Sequence, residues 1–198
     1  NEEQKKKYLT PMAKGEHIGA FALTEPGAGT DVGAATTRAV LDGEEYVING
    51  SKTFTSNGPV ADTFITFAWT NPEDKRKGMS AFIVEKGTPG MSIGEPIMKM
   101  GIRASQTSSV FFNNCRVPKE NLIGNPGDGL KIAMSCLDHG RIGIAAQAVG
   151  IAQAALDESL AYSKERIQFG RPISKNQAIQ WMLADMETDI NAGRFLYY

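Results

Sequence analysis

The chain has 198 residues, 41% of them apolar and 22% charged, and a formal net charge of −1. That is the composition of a globular chain, and 21 basic against 22 acidic residues exclude the basic excess of a nucleic-acid surface. Two cysteines and two histidines without a CxxC pattern are too few for a zinc site. They read instead as reduced thiols suited to a cytoplasmic or mitochondrial matrix compartment.

Along the chain, "EEQKKK" at 2–7 reads as a solvated, charged terminus. "HIGAFALTE" is a strand candidate, and "TTRAVLDGEEYVING" carries the Asp42-Gly43 signal of a hairpin. "NGSKTFTSNG", "DTFITFAWT", "GMSAFIVEKGTPGMSIG" and "TSSVFFNNCRVP" add further short strands, spaced as in a barrel or sandwich. Near residue 120 the pattern changes. From Gly129 to about Phe169, Leu130, Ala133, Met134, Leu137, Arg141, Ile144 and Ala148 follow three-four spacing. Gly140, Gly143 and Gly150 lie inside this helix, where each costs about 1 kcal/mol relative to alanine. Close packing of another backbone or a ligand would explain them; mere tolerance is the alternative. Ser174 is a candidate cap for a second helix running to the end. No stretch reads as a signal peptide or a transmembrane span. The expected class is segregated α+β, with a β unit over 1–120 and long antiparallel helices over 121–198. The chain begins with Asn1 and stops inside a helical pattern, so it reads as a piece of a longer protein.

The loop at 21–31, "FALTEPGAGTD", raises the question of a nucleotide. Gly27 and Gly29 give G-x-G, but the third glycine, Gly33, is one position late, and a β-type run follows instead of a helix. The Rossmann fingerprint therefore fails. A glycine-rich turn can still present successive backbone N–H groups to an anion, with Thr24 and Thr30 adding hydroxyls. A plain connecting loop is the alternative.

"FALTEPGAGTD", "VINGSKTFTSNG", "GIRASQTSSVFFNNCRVP", "CLDHGRIGIAAQAVGIAQAALD" and "SKERIQFGRPISKNQAIQWMLADM", in this order and spacing, resemble the acyl-CoA dehydrogenases, nearest the short-chain, butyryl-CoA dehydrogenase type. The resemblance spans nearly the whole chain. It implies a β-barrel middle domain followed by the first half of a C-terminal four-helix domain. It also implies FAD as cofactor, an acyl-CoA substrate, an electron-transfer flavoprotein as electron acceptor and a homotetrameric parent, without nucleic acid, membrane or metal.

The resemblance further implies site residues. Phe21, Leu23 and Thr24 match positions along the flavin ring, and the Thr24 hydroxyl matches a donor to its N1/O2 edge. Gly29 and Thr30 match the pyrophosphate region, and Thr30 also the edge of the acyl-CoA site. Phe54, Thr55 and Ser56 stand where the family usually has Trp-Ile-Thr. Asp138 and Arg141 match residues on the CoA side of the substrate; from spacing alone they are an intrahelical ion pair. Arg166, Phe169 and Gln177 match positions that reach FAD from a neighbouring subunit. The implied reaction is α,β-dehydrogenation of the thioester. In some branches the catalytic glutamate matches Gly140, which carries no acid, and in others it would lie beyond Tyr198, so no base is expected in this chain. Rival readings are an acyl-CoA oxidase-like relative and a non-catalytic binding or assembly module.

Overall fold

Alternation of small and large apolar residues builds the first sheet. Strands β1 (Gly19–Ala22), β2 (Arg38–Asp42), β3 (Glu45–Ser56), β4 (Thr63–Trp69), β5 (Met79–Glu85), β6 (Met91–Ile93), β7 (Thr107–Pro118) and β8 (Leu122–Ile123) form it. Hydrogen bonding follows the order β6-β7-β3-β2-β4-β5-β8, with β1 paired to β4. The computed structural model describes residues 1–198. It divides into two units, Asn1–Met134 and Ser135–Tyr198.

The hairpin signal is fulfilled one residue late. Asp42 pairs with Glu45, so the loop is Gly43-Glu44, and Gly43 takes the left-handed φ of +63° that such a loop requires. One hydrophobic cluster draws on all eight strands. Ala20, Ala39, Ile48, Phe64, Phe82 and Val110 are buried in it, and Met91, Ile93 and Leu122 pack against it. A sheet whose strands all face one core must curl. Its hydrogen-bonded path nevertheless ends at β6 and β8 and does not close into a ring. Cys115 is a buried member of this core, and both cysteines are free thiols.

β1 and β2 lie end to end along one edge of β4. Ala22 pairs with Thr66, and Arg38 pairs with Trp69. Between them the chain leaves the edge as the loop 23–37 and returns, where Trp69 donates its backbone N–H to the Thr37 carbonyl at 2.8 Å. The glycine-rich motif sits on this excursion.

The "EEQKKK" run is not a free tail. It belongs to a helical segment, α1 (Glu2–Gln4), a π-type turn (Lys5–Leu9) and α2 (Thr10–Ala13). Gln4 donates from Nε2 to the Glu120 and Leu122 carbonyls, both at 2.8 Å. Tyr8 is buried and donates to Glu85 Oε1 at 2.7 Å. The expectation of a solvated terminus missed these anchors because they join residues far apart in sequence.

The second unit is helical. α3 (Gly129–Glu165) runs for 37 residues, about 55 Å at 1.5 Å per residue. It ends four residues before the expected Phe169, because the chain turns into a ribbon of β9 (Ile167–Gln168) and β10 (Arg171–Pro172). α4 (Gln177–Tyr197) follows, with Asn176 as N-cap residue. Ser174 is not the cap; it lies in a 3₁₀ turn at Ile173–Lys175. At the far end of α4, Arg194 Nη2 donates to Gln153 Oε1 at 2.7 Å, and a Cβ on Gly193 would stand 3.2 Å from Val149 Cγ2. The helices are therefore antiparallel neighbours. The stripe of α3 facing α4 runs through Val149 and Gln153, with Leu156 and Ser163 buried further along it. It is not the continuation of the Leu130-to-Ala148 stripe, whose later members Ile144 and Ala148 stay exposed. No helix is long and apolar enough to cross a membrane.

Candidate functional site

In the first unit the candidate residues converge on the loop 23–37 and the second half of β3. Ala20 and Ala22 face the core and Phe21 faces outward, its ring centroid 5.0 Å from that of Phe67. Leu23 is buried and Thr24 half-buried. The Thr24 carbonyl accepts the Thr53 N–H at 2.8 Å, which fastens the loop to β3.

β3 carries two irregularities in its pairing with β7, one between Ile48 and Gly50 and one between Lys52 and Thr55. The first carries its extra residue on β7, where Asn113 and Asn114 stand opposite Asn49 and Asn114 takes φ +50°. Gly50 (φ +145°) meets the loop so closely that a Cβ would lie 2.5 Å from Thr37 Oγ1, so only glycine fits. The second is a bulge, with Thr53 and Phe54 opposite Ser109. Phe54 adopts φ +53° there, a left-handed conformation costly for a large aromatic, and its side chain is 65% exposed. Bulges re-aim side chains next to sites, and this one turns an aromatic face out of the sheet. Ser56 is exposed. Thr55 is fully buried, and its Oγ1 has no hydrogen-bond partner, so it lies beneath the surface that Phe54 and Ser56 present.

The loop's outer edge is open. A Cβ on Gly27 or Gly29 would meet nothing within 4 Å, and Thr30 is exposed. Its neck is closed. Glu25 accepts the Thr36 N–H at 2.6 Å and hydroxyl at 2.8 Å through Oε2, and the Thr37 N–H at 3.0 Å through Oε1. Lys52 Nζ donates to Glu25 Oε1 at 2.8 Å and to the Leu23 carbonyl at 3.1 Å. The two side chains are 3% and 0% exposed. Burial pushes the Glu25 carboxyl up, but the Lys52 ammonium and the threonine donors outweigh it and hold it at about 2. Burial also lowers Lys52, against the pull of Glu25. An ionised pair thus stands under the loop. Sequence reading passed over both residues; the available signal was a lysine at an inward position of a strand, which demands a buried partner.

Between the glycines Ala28 is buried and exchanges both backbone hydrogen bonds with Glu25, so Gly27 and Gly29 offer the open backbone; with an outward aromatic and flanking hydroxyls they fit the two needs of a flavin dinucleotide. Those needs are donors for a pyrophosphate and an apolar wall for a ring.

In the second unit the candidates fall into two groups. Asp138 and Arg141 form the ion pair their spacing predicts, Nη1 to Oδ1 2.6 Å, with both side chains mostly exposed. Arg166 and Phe169 lie on the connection from α3 to α4, Gln177 opens α4, and all three are exposed. Phe169 stands at the tip of the β9–β10 ribbon with φ +52°, followed by Gly170 at φ +73°. A bulky residue in that conformation is an outlier. Arg141 and Arg166 are separated by about two-thirds of the helix, about 37 Å of rise, so the two groups cannot serve one end of a ligand within one copy.

Comparison with known proteins gives the context. Residues 20–115 match the acyl-CoA dehydrogenase middle domain, and residues 127–198 the acyl-CoA dehydrogenase C-terminal domain. A short-chain specific acyl-CoA dehydrogenase of Clostridium acetobutylicum is 59% identical over 197 residues, 100% of this chain and 52% of the relative. An acryloyl-CoA reductase (NADH) of Anaerotignum propionicum is 55% identical over 196 residues, 98% of this chain and 50% of the relative. Among solved structures, butyryl-CoA dehydrogenase of Megasphaera elsdenii superposes with a TM-score of 0.96 at 50% identity, covering 100% of this chain and 52% of that one. A chain from the structure of the electron transferring flavoprotein of Acidaminococcus fermentans does so with a TM-score of 0.96 at 57% identity, with the same coverage. The chain thus spans about half the length of the relatives it matches. With both domain patterns in order, an open glycine loop beside an outward aromatic, and relatives alike throughout, this chain belongs to the acyl-CoA dehydrogenase family.

Proposed function

We propose that this chain is part of an FAD-dependent enzyme that removes two hydrogens from the α and β carbons of a short-chain acyl-CoA, giving trans-2-enoyl-CoA. Residues 1–120 serve as the flavin- and acyl-CoA-binding domain and 121–198 as part of the helical domain. The observation that carries this is the fastening of the Gly27–Thr30 loop to the Phe54 bulge of β3 through the Thr53–Thr24 bond. That bond brings phosphate-type donors and an aromatic wall onto one strand.

When bound, FAD supplies the acceptor for the β-hydrogen, which leaves as hydride. Phe21, Thr24, Gly29, Thr30, Phe54 and Ser56 would hold it from this copy, with Leu23 and Thr55 buried beneath them. The Thr24 and Ser56 hydroxyls would be the donors that favour negative charge on the ring. Arg166, Phe169 and Gln177 would contribute from a second copy. An arginine fork suits paired phosphate oxygens, and the separation of Arg166 from Asp138 and Arg141 along α3 agrees with this division. Thr30, Asp138 and Arg141 would hold the CoA portion of the substrate. The α-proton goes to a carboxylate that we place beyond Tyr198, since Gly140 has no acid to offer. Electrons pass to an electron-transfer flavoprotein, and the assembled protein is a homotetramer of the cytoplasm or mitochondrial matrix.

The test is the visible spectrum of the full-length protein before and after anaerobic addition of butyryl-CoA. Bleaching of an FAD band is expected; an FAD-loaded protein bleached by no acyl-CoA would reject the proposal. The 55% identity to an acryloyl-CoA reductase supports a second reading, in which the same site runs towards saturation. NADH oxidation dependent on acryloyl-CoA and an electron-transfer flavoprotein, exceeding the forward rate, would favour it.

A further inference from the structure

The ion pair under the loop is not explained by stability. Replacing a buried pair by apolar residues of similar volume is often neutral or stabilising, because two ions must be stripped of water to form it. Hydrogen-bond geometry instead shows what this pair holds. Each Glu25 oxygen accepts from the far side of the loop, at Thr36 and Thr37. Lys52 joins that carboxylate to the near side, at the Leu23 carbonyl. The next residue, Thr24, is tied to Thr53, the neighbour of Lys52 on β3. Two residues beyond Lys52, the bulge turns Phe54 outward. One stretch of β3 therefore fixes both the loop and the aromatic wall beside it.

We propose that Lys52 and Glu25 are positioning residues for the flavin-binding edge. By clamping both sides of the loop's neck, they set the direction in which Thr24 and the Gly27–Thr30 backbone face, and so set flavin affinity separately from fold stability. The proposal rests on the flavoprotein reading above. Neither side chain reaches the open edge: Lys52 acts through the Leu23 carbonyl, and Glu25 holds Thr36 and Thr37 while its backbone exchanges hydrogen bonds with Ala28.

The experiment uses the full-length protein with Lys52→Met, Lys52→Gln and the double variant Glu25→Gln/Lys52→Met. Readouts are the FAD dissociation constant, the thermal midpoint and amide exchange at Thr53. The Lys52→Met side chain cannot donate to Leu23, so at least tenfold weaker FAD binding and tenfold faster Thr53 exchange are expected. Glutamine at 52 can still donate, and binding within threefold of wild type is expected. The double variant, free of unpaired charge, is expected to melt within a few degrees of wild type while still binding FAD at least tenfold more weakly. A double variant with wild-type flavin affinity, or Lys52→Gln and Lys52→Met with equal affinities, would overturn the proposal. Should the double variant not fold, the comparison of the two single variants decides. A wild-type protein without FAD affinity would sink the flavoprotein reading instead, and Thr53 exchange in the flavin-free protein then judges the clamp alone.

Discussion

The two units differ in how they treat apolar surface. In the first, Phe64, Phe67, Phe82, Met79 and Val84 are wholly enclosed, and every strand adds to one cluster. In the second, Leu156 and Ile190 are buried, while Ile142, Ile144, Ile151, Trp181, Met182, Phe195 and Leu196 remain open. The difference follows from geometry. A curled sheet has an inside that takes the alternate side chains of strands such as β3 and β7, and β4 and β5 are covered on both faces. Two antiparallel helices share a single seam, and any apolar stripe away from it needs a further partner. The first unit encloses a core of its own, although Val40, Met98, Met100 and Ile102 stay open at its surface; the second leaves most of its large apolar side chains uncovered.

The comparison can be broken in stages. The largest effect belongs to the sheet core. Phe82→Ala should cost about 3–5 kcal/mol, measured by denaturant unfolding; a cost under 1 kcal/mol would mean the enclosed cluster is not what holds the first unit. Next comes acid. The Glu25 carboxyl lies at about 2 in the fold against 4.5 as a free group. Its stabilisation is therefore complete above pH 4.5 and lost as pH falls towards 2, amounting to about 3 kcal/mol. Unfolding followed across that window should show this slope in the wild type and a flattened one in Glu25→Gln. In the helical unit of this 198-residue chain, Leu156→Ala should cost about 2–3 kcal/mol, whereas Ile151→Ala should stay within about 0.5 kcal/mol. Equal costs would show that Ile151 is already covered, by self-association that light scattering would reveal. The smallest test concerns Gly143 and Gly150, where a Cβ would meet nothing within 4 Å. Alanine there should stabilise α3 by about 0.5–1 kcal/mol each. Destabilisation in the full-length protein, alongside stabilisation in this chain, would locate the surface where another helix packs closely.

Legibility differed between the units in a related way. Strand positions in 38–48 were readable because alternation and an Asp-Gly turn are local signals, and the three-four stripe gave α3 to within a turn at its end. What failed was non-local. Lys7 looked like part of a solvated run because its partner Glu85 is far along the chain. Ser174 and Asn176 are both capping types two residues apart, and only the 3₁₀ turn between them decided for Asn176. The loop at 23–37 was visible as a glycine motif, but its clamp was not. Lys52 on an inward position announced a buried acid without saying which, and nothing near Glu25 in sequence singled it out. The bulge at Phe54 was equally hidden, because a register slip depends on both strands.

α3 also acts as a shaft. It carries Asp138 and Arg141 near one end and hands over to Arg166 and Phe169 at the other. On a continuous helix each residue contributes about 100° of rotation and 1.5 Å of advance. Removing a single residue between 142 and 165 would barely shorten the rod but would swing the far group about a quarter-turn out of phase with the near one. The spacing of the two groups is thus held in discrete steps, and only changes near whole turns leave both ends pointing where they did.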